Sequence, residues 1–167
     1  IHLYYKGGII EFFKISYSML VVAFLTASSI VTLPTTMKTG EKLGIRSDIA
    51  KTIISIGSMV NMDGTALFLG LFCSTVSILY SVSINYWTYA LIVFFISIMA
   101  IITPGIPGAT LLIVLGLINL TQFPTDCIGI IPSVGVFIEM FGTVVNVLGD
   151  LIGAIFFEYL KTEYTKR

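Results

Sequence analysis

The stretch Asn61-Met62-Asp63-Gly64-Thr65 lies in the middle of an apolar run from residue 52 to residue 80. That run is long enough to cross a bilayer, which takes about 20 apolar residues. An Asp near the centre of a membrane helix costs roughly 2.5–3.5 kcal/mol on insertion scales. Gly64 weakens the helix further, because glycine loses more backbone entropy than other residues. The stretch therefore predicts a broken membrane helix at a point where something polar binds.

The composition of the whole chain indicates an integral membrane protein. Of its 167 residues, 56% are apolar and only 11% are charged, and the mean hydropathy is +1.01. Soluble domains carry about 25% charged residues. The apolar runs are too long for strands and lack the two-residue alternation of a membrane barrel, so the membrane segments are predicted to be helical.

The basic residues are unevenly distributed. They cluster at Lys38, Lys42, Arg46 and Lys51 and again at Lys161, Lys166 and Arg167, and the interval between the clusters contains acids but no Lys, Arg or His. Cytoplasmic flanks of membrane helices carry the excess of Lys and Arg. We therefore predict a multi-pass protein of the cell membrane with residues 37–51 and 161–167 in the cytoplasm. The sequence has no basic aromatic face, so it gives no support to nucleic-acid binding.

The cysteines and the start of the chain are less informative. Cys73 and Cys127 lie in or beside apolar segments without metal-ligand spacing, and we interpret them as small buried side chains. The chain starts without Met and without a signal-peptide pattern. We expect it to be a piece of a longer protein whose N-terminal part precedes it.

The apolar stretch 9–36 is predicted to form a first re-entrant hairpin. Residues 26–34 interrupt it with four hydroxyl side chains and Pro34, and the residue before a proline is pushed out of the helical region. The pieces on either side look too short to cross the membrane separately, which favours a helix–turn–helix with a serine-rich tip. The alternative is that the hydroxyl groups bond back to carbonyls of their own helix.

The stretch 89–120 is interrupted by Thr103-Pro104-Gly105-Ile106-Pro107-Gly108-Ala109, whose prolines and glycines end a helix. Each arm has about 15 residues, too few to cross alone. A single crossing by 89–120 would place the two basic clusters on opposite sides, whereas a second re-entrant hairpin keeps both inside. The predicted fold is therefore an all-α integral membrane protein with two transmembrane helices, a broken one at 52–80 and a last one at 127–160, plus two oppositely oriented re-entrant helical hairpins.

The last segment carries a polar stripe of Glu139, Thr143, Asn146 and Asp150. Their spacings of four, three and four place them on one helix face. A stripe of this kind is too costly to face lipid, so it must face protein or water. The alternative to a binding role is that these residues only bond neighbouring helices.

The acids of the membrane region, Asp63, Glu139 and Asp150, have no basic residue in the same region. A buried unpaired carboxylate takes a proton or meets a cation. The carboxylates, the amide carbonyls of Asn61 and Asn146 and the freed backbone carbonyls suit Na⁺ or H⁺, and the lack of His and Cys ligands argues against a transition metal. Broken helices near the midplane are typical of secondary transporters. The sequence shows no nucleophile–base pair, so it gives little support to an enzyme.

With these residues in view, the chain resembles the glutamate transporter homologue family, the dicarboxylate/amino acid:cation symporters. Four motifs carry the resemblance in order: Ser28-Ser29 with Thr32-Leu33-Pro34, Asn61-Met62-Asp63-Gly64-Thr65, Pro104-Gly105-Ile106-Pro107-Gly108-Ala109, and Asn146-Val147-Leu148-Gly149-Asp150. The resemblance covers nearly the whole chain. It implies the C-terminal part of a transport domain that moves like an elevator against an N-terminal scaffold absent here, in a homotrimer surrounded by membrane lipid.

The resemblance also implies roles for individual residues. Substrate would be bound by Ser29, Thr65, backbone at Ile106, Glu139, Thr143 and Asn146, with Gly142 at the position that sets the substrate class. Asn146 would bind the α-carboxylate and Glu139 the ammonium group. One sodium site would use carbonyls of Gly57, Asn61 and Asn146 with the Asp150 carboxylate. A second would use the Met62 sulfur and backbone at Met59 and in the second tip, near Ala100, Ile101 and Thr103. A third would use Asn61 and Asp63.

Several positions depart from the family pattern. Members that carry acidic substrates have an Arg where this chain has Gly142, and no Arg lies between Arg46 and Arg167. A second substrate carboxylate would lack its bidentate partner, so a small neutral amino acid such as serine, alanine or threonine is favoured. Glu139 replaces the usual Asp, Pro104 a small residue, and Ile30 and Val31 make the first tip less polar. An acidic amino acid or dicarboxylate as substrate, and a channel-like or non-transporting relative, remain alternatives, as does H⁺ in place of Na⁺.

Overall fold

The computed structural model describes residues 7–102, 109–121 and 123–165, and helices dominate these ranges. In chain order they are α1 (Ile9–Thr26), α2 (Ser29–Lys42), α3 (Ser47–Ile49), a π-helix (Ala50–Ile54), α4 (Ser55–Val60), α5 (Asp63–Leu79), α6 (Tyr86–Ile102), α7 (Ala109–Leu120), a 3-10 helix (Thr125–Ile130) and α8 (Ile131–Thr165). The described residues contain no strand. The prediction of an all-α protein is therefore confirmed.

The turn between α1 and α2 falls at Ala27 and Ser28, within the interruption at 26–34. Ala27 adopts a left-handed conformation with φ of 47° and donates its N–H to the Ala23 carbonyl at 3.0 Å. The Ser28 hydroxyl then caps α2 by accepting from the Val31 N–H at 3.3 Å. Pro34 lies inside α2, which continues to Lys42. A proline there costs one backbone hydrogen bond, and the packing of α2 against α1 and α8 offsets that loss.

The hydroxyl side chains of α2 largely bond to their own helix. Thr32 donates to the Ser28 carbonyl at 2.8 Å, Thr36 to the Thr32 carbonyl at 3.1 Å, and Thr39 to the carbonyl of residue 35 at 2.9 Å. All three threonines are buried, and this local bonding is what lets a hydroxyl be buried without a distant partner. Within the hydroxyl-rich stretch 26–34, Thr32 bonds back in this way, and so does Thr26, which donates to the Val22 carbonyl at 2.8 Å.

The segment between α2 and α4 carries charged residues, but it also has a buried apolar face. Leu43, Ile45 and Ile49 are buried, and they join Ile54 in the apolar core formed with α1 and α8. The charged residues of this segment lie on the outside, and their number obscured the apolar face in the sequence. The segment therefore packs along α8 as part of the fold.

A second apolar core holds α5, α6, α7 and the 3-10 helix together. Leu69, Ile96, Ile113, Leu117 and Cys127 are among its buried members. A Cβ added at Gly116 would meet the Phe95 ring, so α6 and α7 approach closely. The predicted second tip, with Pro104 to Gly108, lies outside the described residues.

Three helical stretches in the described part of the chain are long and apolar enough to cross a membrane, by length and composition. They are Ile9–Thr26, Ser47–Leu79 and Gly135–Thr165, while Tyr86–Met99 and Leu111–Leu120 are shorter apolar helices. The first of these was expected to be too short, and that expectation was wrong, because α1 runs unbroken for 18 residues. The composition of these helices agrees with a membrane protein.

Candidate ion and substrate site

The helix formed by α4 and α5 breaks at Asn61 and Met62, inside the stretch that had predicted it. α4 ends at Val60 and α5 begins at Asp63. In a continuous helix the Gly64 N–H would donate to the Val60 carbonyl, but here it donates to Oδ1 of Asn146 at 2.7 Å. The Gly57 carbonyl still accepts from the Asn61 N–H at 2.7 Å, but the carbonyls after it lose their helical donors at the break.

Asp150 lies beside this break and is 3% exposed. Its Oδ1 accepts a hydrogen bond from the Asn61 amide at 3.0 Å, and the same amide donates to the Asn146 carbonyl at 3.1 Å. Among the described residues, Oδ2 of Asp150 is buried without a hydrogen-bond partner. A buried carboxylate oxygen in this position requires a proton or a cation.

The oxygen atoms around Asp150 suit a hard cation. Gly57 lies directly against the carboxylate, since a Cβ added there would be 2.5 Å from Oδ1 of Asp150. The Gly57 backbone can approach so closely only because it has no side chain. Carboxylate, amide and main-chain oxygens are the ligands that alkali and other hard cations prefer. The donor set of α4 and α8 therefore fits the predicted ion.

Asn146 connects the parts of the site. Besides accepting from Gly64, its amide nitrogen lies 3.6 Å from the Met62 sulfur and 3.5 Å from the Thr65 hydroxyl. Asn146 is 2% exposed and Thr143, on the same face of α8, is 6% exposed. The stripe therefore faces protein along this part of α8, as its cost in lipid required. It contacts both sides of the break in the α4–α5 helix.

The structure brings together one group of the predicted site residues: Gly57, Asn61, Met62, Thr65, Asn146 and Asp150. Gly142 belongs to the same packing, because a Cβ added at Gly64 would lie against its carbonyl group. Asp63 lies near this group, since a Cβ added at Gly149 would be 3.4 Å from its Oδ2, but its side chain is exposed.

Other predicted site residues lie apart from this network or outside the described residues. Ser29 is buried at the start of α2, and Glu139 is half-buried on α8. Met59 is 57% exposed. Ala100 and Ile101 lie in the last turn of α6. Thr103 and Ile106 lie outside the described residues, so their predicted roles stay predictions.

Sequence reasoning missed a second buried carboxylate, that of Glu158. Its side chain is 3% exposed and forms an ion pair with Nε of Arg46 at 2.9 Å. Nearby, Lys161 and Asp48 form an exposed pair at 3.0 Å. The spacing of eight residues from Asp150 to Glu158, which continues the same helix face, was the signal in the sequence. Arg46 and Lys161, one residue from each basic cluster, therefore lie at the same end of α8.

Apolar helices with a buried polar site at a helix break are typical of secondary transporters. Residues 1–160 match the sequence pattern described as the "Sodium:dicarboxylate symporter family". The chain belongs to that family, which confirms the resemblance found in the sequence. It is a family of transporters and not of enzymes, as expected.

Individual relatives agree with this assignment. Excitatory amino acid transporter 4 of Rattus norvegicus is 32% identical over 155 residues, covering 92% of this chain and 26% of the relative. Excitatory amino acid transporter 1 of Homo sapiens is 32% identical over 148 residues, covering 88% and 27%. Neutral amino acid transporter A of Homo sapiens is 32% identical over 146 residues, covering 87% and 27%. The chain thus spans about a quarter of the length of these relatives.

Proposed function

We propose that the chain forms the C-terminal part of the transport domain of a secondary active symporter that moves a small neutral amino acid with Na⁺. The observation that carries this proposal is the buried Asp150 carboxylate beside the broken helix, with one oxygen on the Asn61 amide and the other without a partner among the described residues. Membership of a cation-coupled transporter family supports it.

The proposed sodium site is formed by the Asp150 carboxylate with carbonyl oxygens of Gly57, Asn61 and Asn146. When bound, sodium would supply the positive charge that the buried carboxylate lacks. Asn61 holds Oδ1 at 3.0 Å and so fixes the direction in which the carboxylate points. We propose two further sodium sites, which follow from the family resemblance. One is at Met62 with backbone of residue 59 and residues 100–103, and the other is at Asn61 with Asp63.

Proton coupling is the alternative to sodium coupling at the same carboxylate. A proton on Oδ2 of Asp150 would also neutralise the buried charge. Sodium is favoured because the carbonyls of Gly57, Asn61 and Asn146 would supply further oxygen ligands, which a protonated carboxyl would not need. Uptake measured at constant pH distinguishes the two ions, because only sodium coupling makes uptake depend on the sodium gradient.

We propose that the architecture is that of two transmembrane helices and two re-entrant hairpins. The packing of α1 on α2 and of α6 on α7 supports two hairpins. The ion pairs of Arg46 and Lys161, one residue from each basic cluster, lie at the same end of α8 and support a common, cytoplasmic side. On this basis 9–36 and 89–120 form the hairpins of an elevator domain, and 52–80 and 127–160 the transmembrane helices. The homotrimer, the cell-membrane location and the N-terminal scaffold are part of the same proposal.

The substrate is proposed to bind beside the sodium site, along the polar face of α8. Asn146 and Thr65 would contact the α-carboxylate, and Glu139 with Thr143 the ammonium group. Ser29 and the backbone at Ile106 would close the site from the two hairpin tips. The positive end of α5 faces Asn146, and it would favour an anionic substrate group at that point.

A neutral substrate is favoured because the site offers no guanidinium for a second carboxylate. Gly142 has no side chain, and Arg46, the other candidate within the described residues, pairs with Glu158 at the far end of α8. Lys161 pairs with Asp48 at the same end. An excitatory amino acid transporter and a neutral amino acid transporter both show 32% identity to the chain. The argument for a neutral substrate therefore rests on the residue at position 142.

Uptake by the full-length protein in liposomes tests the proposal. Labelled serine and labelled aspartate are compared with an inward sodium gradient, with no gradient, and with a proton gradient alone. Serine uptake that requires the sodium gradient is the expected result. Sodium-driven uptake of aspartate and not serine would overturn the neutral assignment, and uptake driven only by protons would overturn the sodium assignment. The absence of gradient-dependent uptake of either solute would contradict a symporter of these substrates.

Replacing Gly142 by Arg is expected to move substrate preference toward aspartate. A Cβ at this position would make ordinary contacts, 3.5 Å from the Gly64 carbonyl carbon and 3.6 Å from the Thr65 nitrogen. The side chain would therefore leave α8 toward the proposed substrate site. A new charge-assisted hydrogen bond is worth about 1.5–3 kcal/mol, or roughly tenfold to a hundredfold in relative affinity. Competition between aspartate and labelled serine measures this shift.

The matched control for Gly142→Arg is Gly142→Met, which has a similar length and no charge. It is expected to weaken serine uptake through bulk without creating aspartate binding. If aspartate competes no better with Gly142→Arg than with Gly142→Met, the proposed substrate position along α8 is wrong.

A further inference from the structure

Glu158 is a buried carboxylate held mainly by one residue from a distant part of the chain. Its Oε1 accepts from Nε of Arg46 at 2.9 Å, and its Oε2 accepts from the Arg46 backbone N–H at 3.0 Å. Thr162 adds a weak contact to Oε1 at 3.5 Å. Arg46 immediately precedes α3, so the carboxylate also lies at the positive end of that short helix. The two carboxylate oxygens of Glu158 thus hold the start of the segment 46–61 in place against α8.

Glu158 and Asp150 lie on the same buried face of α8. They are 2% and 3% exposed, and Ala154, midway between them, is completely buried. Eight residues of helix separate the two carboxylates by about 12 Å along the axis. The segment that packs on this face is attached at both ends, through Arg46 to Glu158 and through Asn61 to Asp150.

Between these two polar attachments the contacts are apolar. Ile49, Ala50 and Ile54 share one core with Leu151 and Ile155. Apolar contacts are not directional, so they tolerate a shift of one helix along the other better than hydrogen bonds do. This part of the segment is also a π-helix, Ala50–Ile54, a rare geometry that marks irregular and often functional points in helices. The directional contacts at the two ends are therefore what determine the register.

We propose that the Glu158–Arg46 pair is a positioning device that sets the register of residues 46–61 along α8 and thereby holds Asn61 against Asp150 in the cation site. This inference rests on the proposed function, because it needs Asp150 to bind the cation. Without the pair, the segment loses its buried directional attachment at this end of α8 and keeps the exposed Lys161–Asp48 pair there. The Asn61–Asp150 contact then no longer has a fixed position. Glu158 acts at a distance and does not contact the ion.

The neighbouring pair of Lys161 and Asp48 provides a matched control. Its N–O distance is 3.0 Å, nearly the same as in the Arg46–Glu158 pair, and its basic side chain is similarly exposed, but its carboxylate side chain is 62% exposed and that of Glu158 only 3%. Exposed ion pairs contribute little to stability or geometry. The double variant Asp48→Asn and Lys161→Met removes a charge pair at the same end of α8 without touching the buried carboxylate.

The test measures how sodium concentration affects the full-length protein, through its thermal unfolding in detergent and its serine uptake in liposomes. Glu158→Gln is expected to raise the sodium concentration for half-maximal effect by about tenfold, the effect typical of groups that orient a metal ligand. The maximal uptake rate at saturating sodium should stay near that of the native protein. Arg46→Met should shift the sodium midpoint in the same direction, and the control pair should leave it unchanged.

A purely structural role for Glu158 would give a different result. Its loss would lower the unfolding temperature without sodium but leave the sodium midpoint at its native value, and that outcome would overturn the inference while the proposed function stands. A native protein that responds to sodium in neither measurement would overturn both. Should Glu158→Gln fail to fold, Arg46→Met, which keeps the carboxylate and its backbone donor, decides the question by the same midpoint.

Discussion

Replacing Asp150 by Asn should weaken the dependence of serine uptake on sodium while leaving the sodium-free protein at least as stable as the native one. The carboxylate is buried, with one oxygen on the Asn61 amide and the other without a partner among the described residues. Burying a neutral amide costs far less than burying an unpaired charge. The substitution therefore removes the group that requires a cation without removing a contact on which the fold depends.

The stability measurement separates a cation site from a merely structural aspartate. A ligand present at about 100 times its dissociation constant stabilises the folded state by about 2.7 kcal/mol. The native protein should gain stability of this order when sodium is added, and Asp150→Asn should lose the part of the gain that comes from this site. Thermal unfolding of the full-length protein with and without sodium, at constant ionic strength maintained with choline, measures the difference.

Asp126→Asn is the matched control for Asp150→Asn. Asp126 is an exposed residue of the 3-10 helix, and its substitution should leave both uptake and the sodium-induced stabilisation unchanged. If Asp150→Asn destabilises the sodium-free protein and retains the native sodium response, Asp150 is a structural residue and the site proposed here is wrong.

The sequence was most informative where a polar or helix-breaking residue stood within an apolar run. Asp63 and Gly64 inside an apolar run predicted a helix break, and the break lies at Asn61 and Met62. The polar stripe on α8 followed from spacing alone, because helix geometry converts spacing into a face. Its burial at Thr143, Asn146 and Asp150 followed from the cost of polar groups in lipid.

Other features depend on partners that are distant in sequence. Nothing local indicates that the Asn61 amide would bond to Asp150 or that Arg46 would bond to Glu158, since 89 and 112 residues separate these pairs. Pro34 lies inside α2 and does not end it, because the local cap at Ser28 and tertiary packing outweigh the proline's preference. The apolar face of residues 43–54 was hidden by charged residues on the opposite side. Sequence patterns therefore predicted which elements exist better than how they pack.

Replacing Gly64 by Ala should destabilise the protein and impair the site, because α5 and α8 touch at this point through their backbones. A Cβ at Gly64 would lie 2.8 Å from both the carbonyl carbon and Cα of Gly142. Backbone atoms cannot rotate away as a side chain can, so the two helices would have to separate. Forcing extra atoms into a packed interface costs about 1–3 kcal/mol. The Gly64 hydrogen bond to Asn146, 2.7 Å long, would weaken as well.

Gly70→Ala, six residues further along the same helix, separates this effect from the general cost of changing a glycine. A Cβ at Gly70 would meet nothing within 4 Å, and Ala is favoured over Gly in a helix by up to about 1 kcal/mol. This control should therefore be neutral or stabilising in thermal unfolding and should retain serine uptake. Gly64→Ala should unfold at a lower temperature and bind serine more weakly, since Asn146 loses its fixed position on α5. Equal unfolding temperatures for the two variants would contradict the close backbone contact between α5 and α8. They would also contradict the proposal that this contact positions Asn146 against the broken helix.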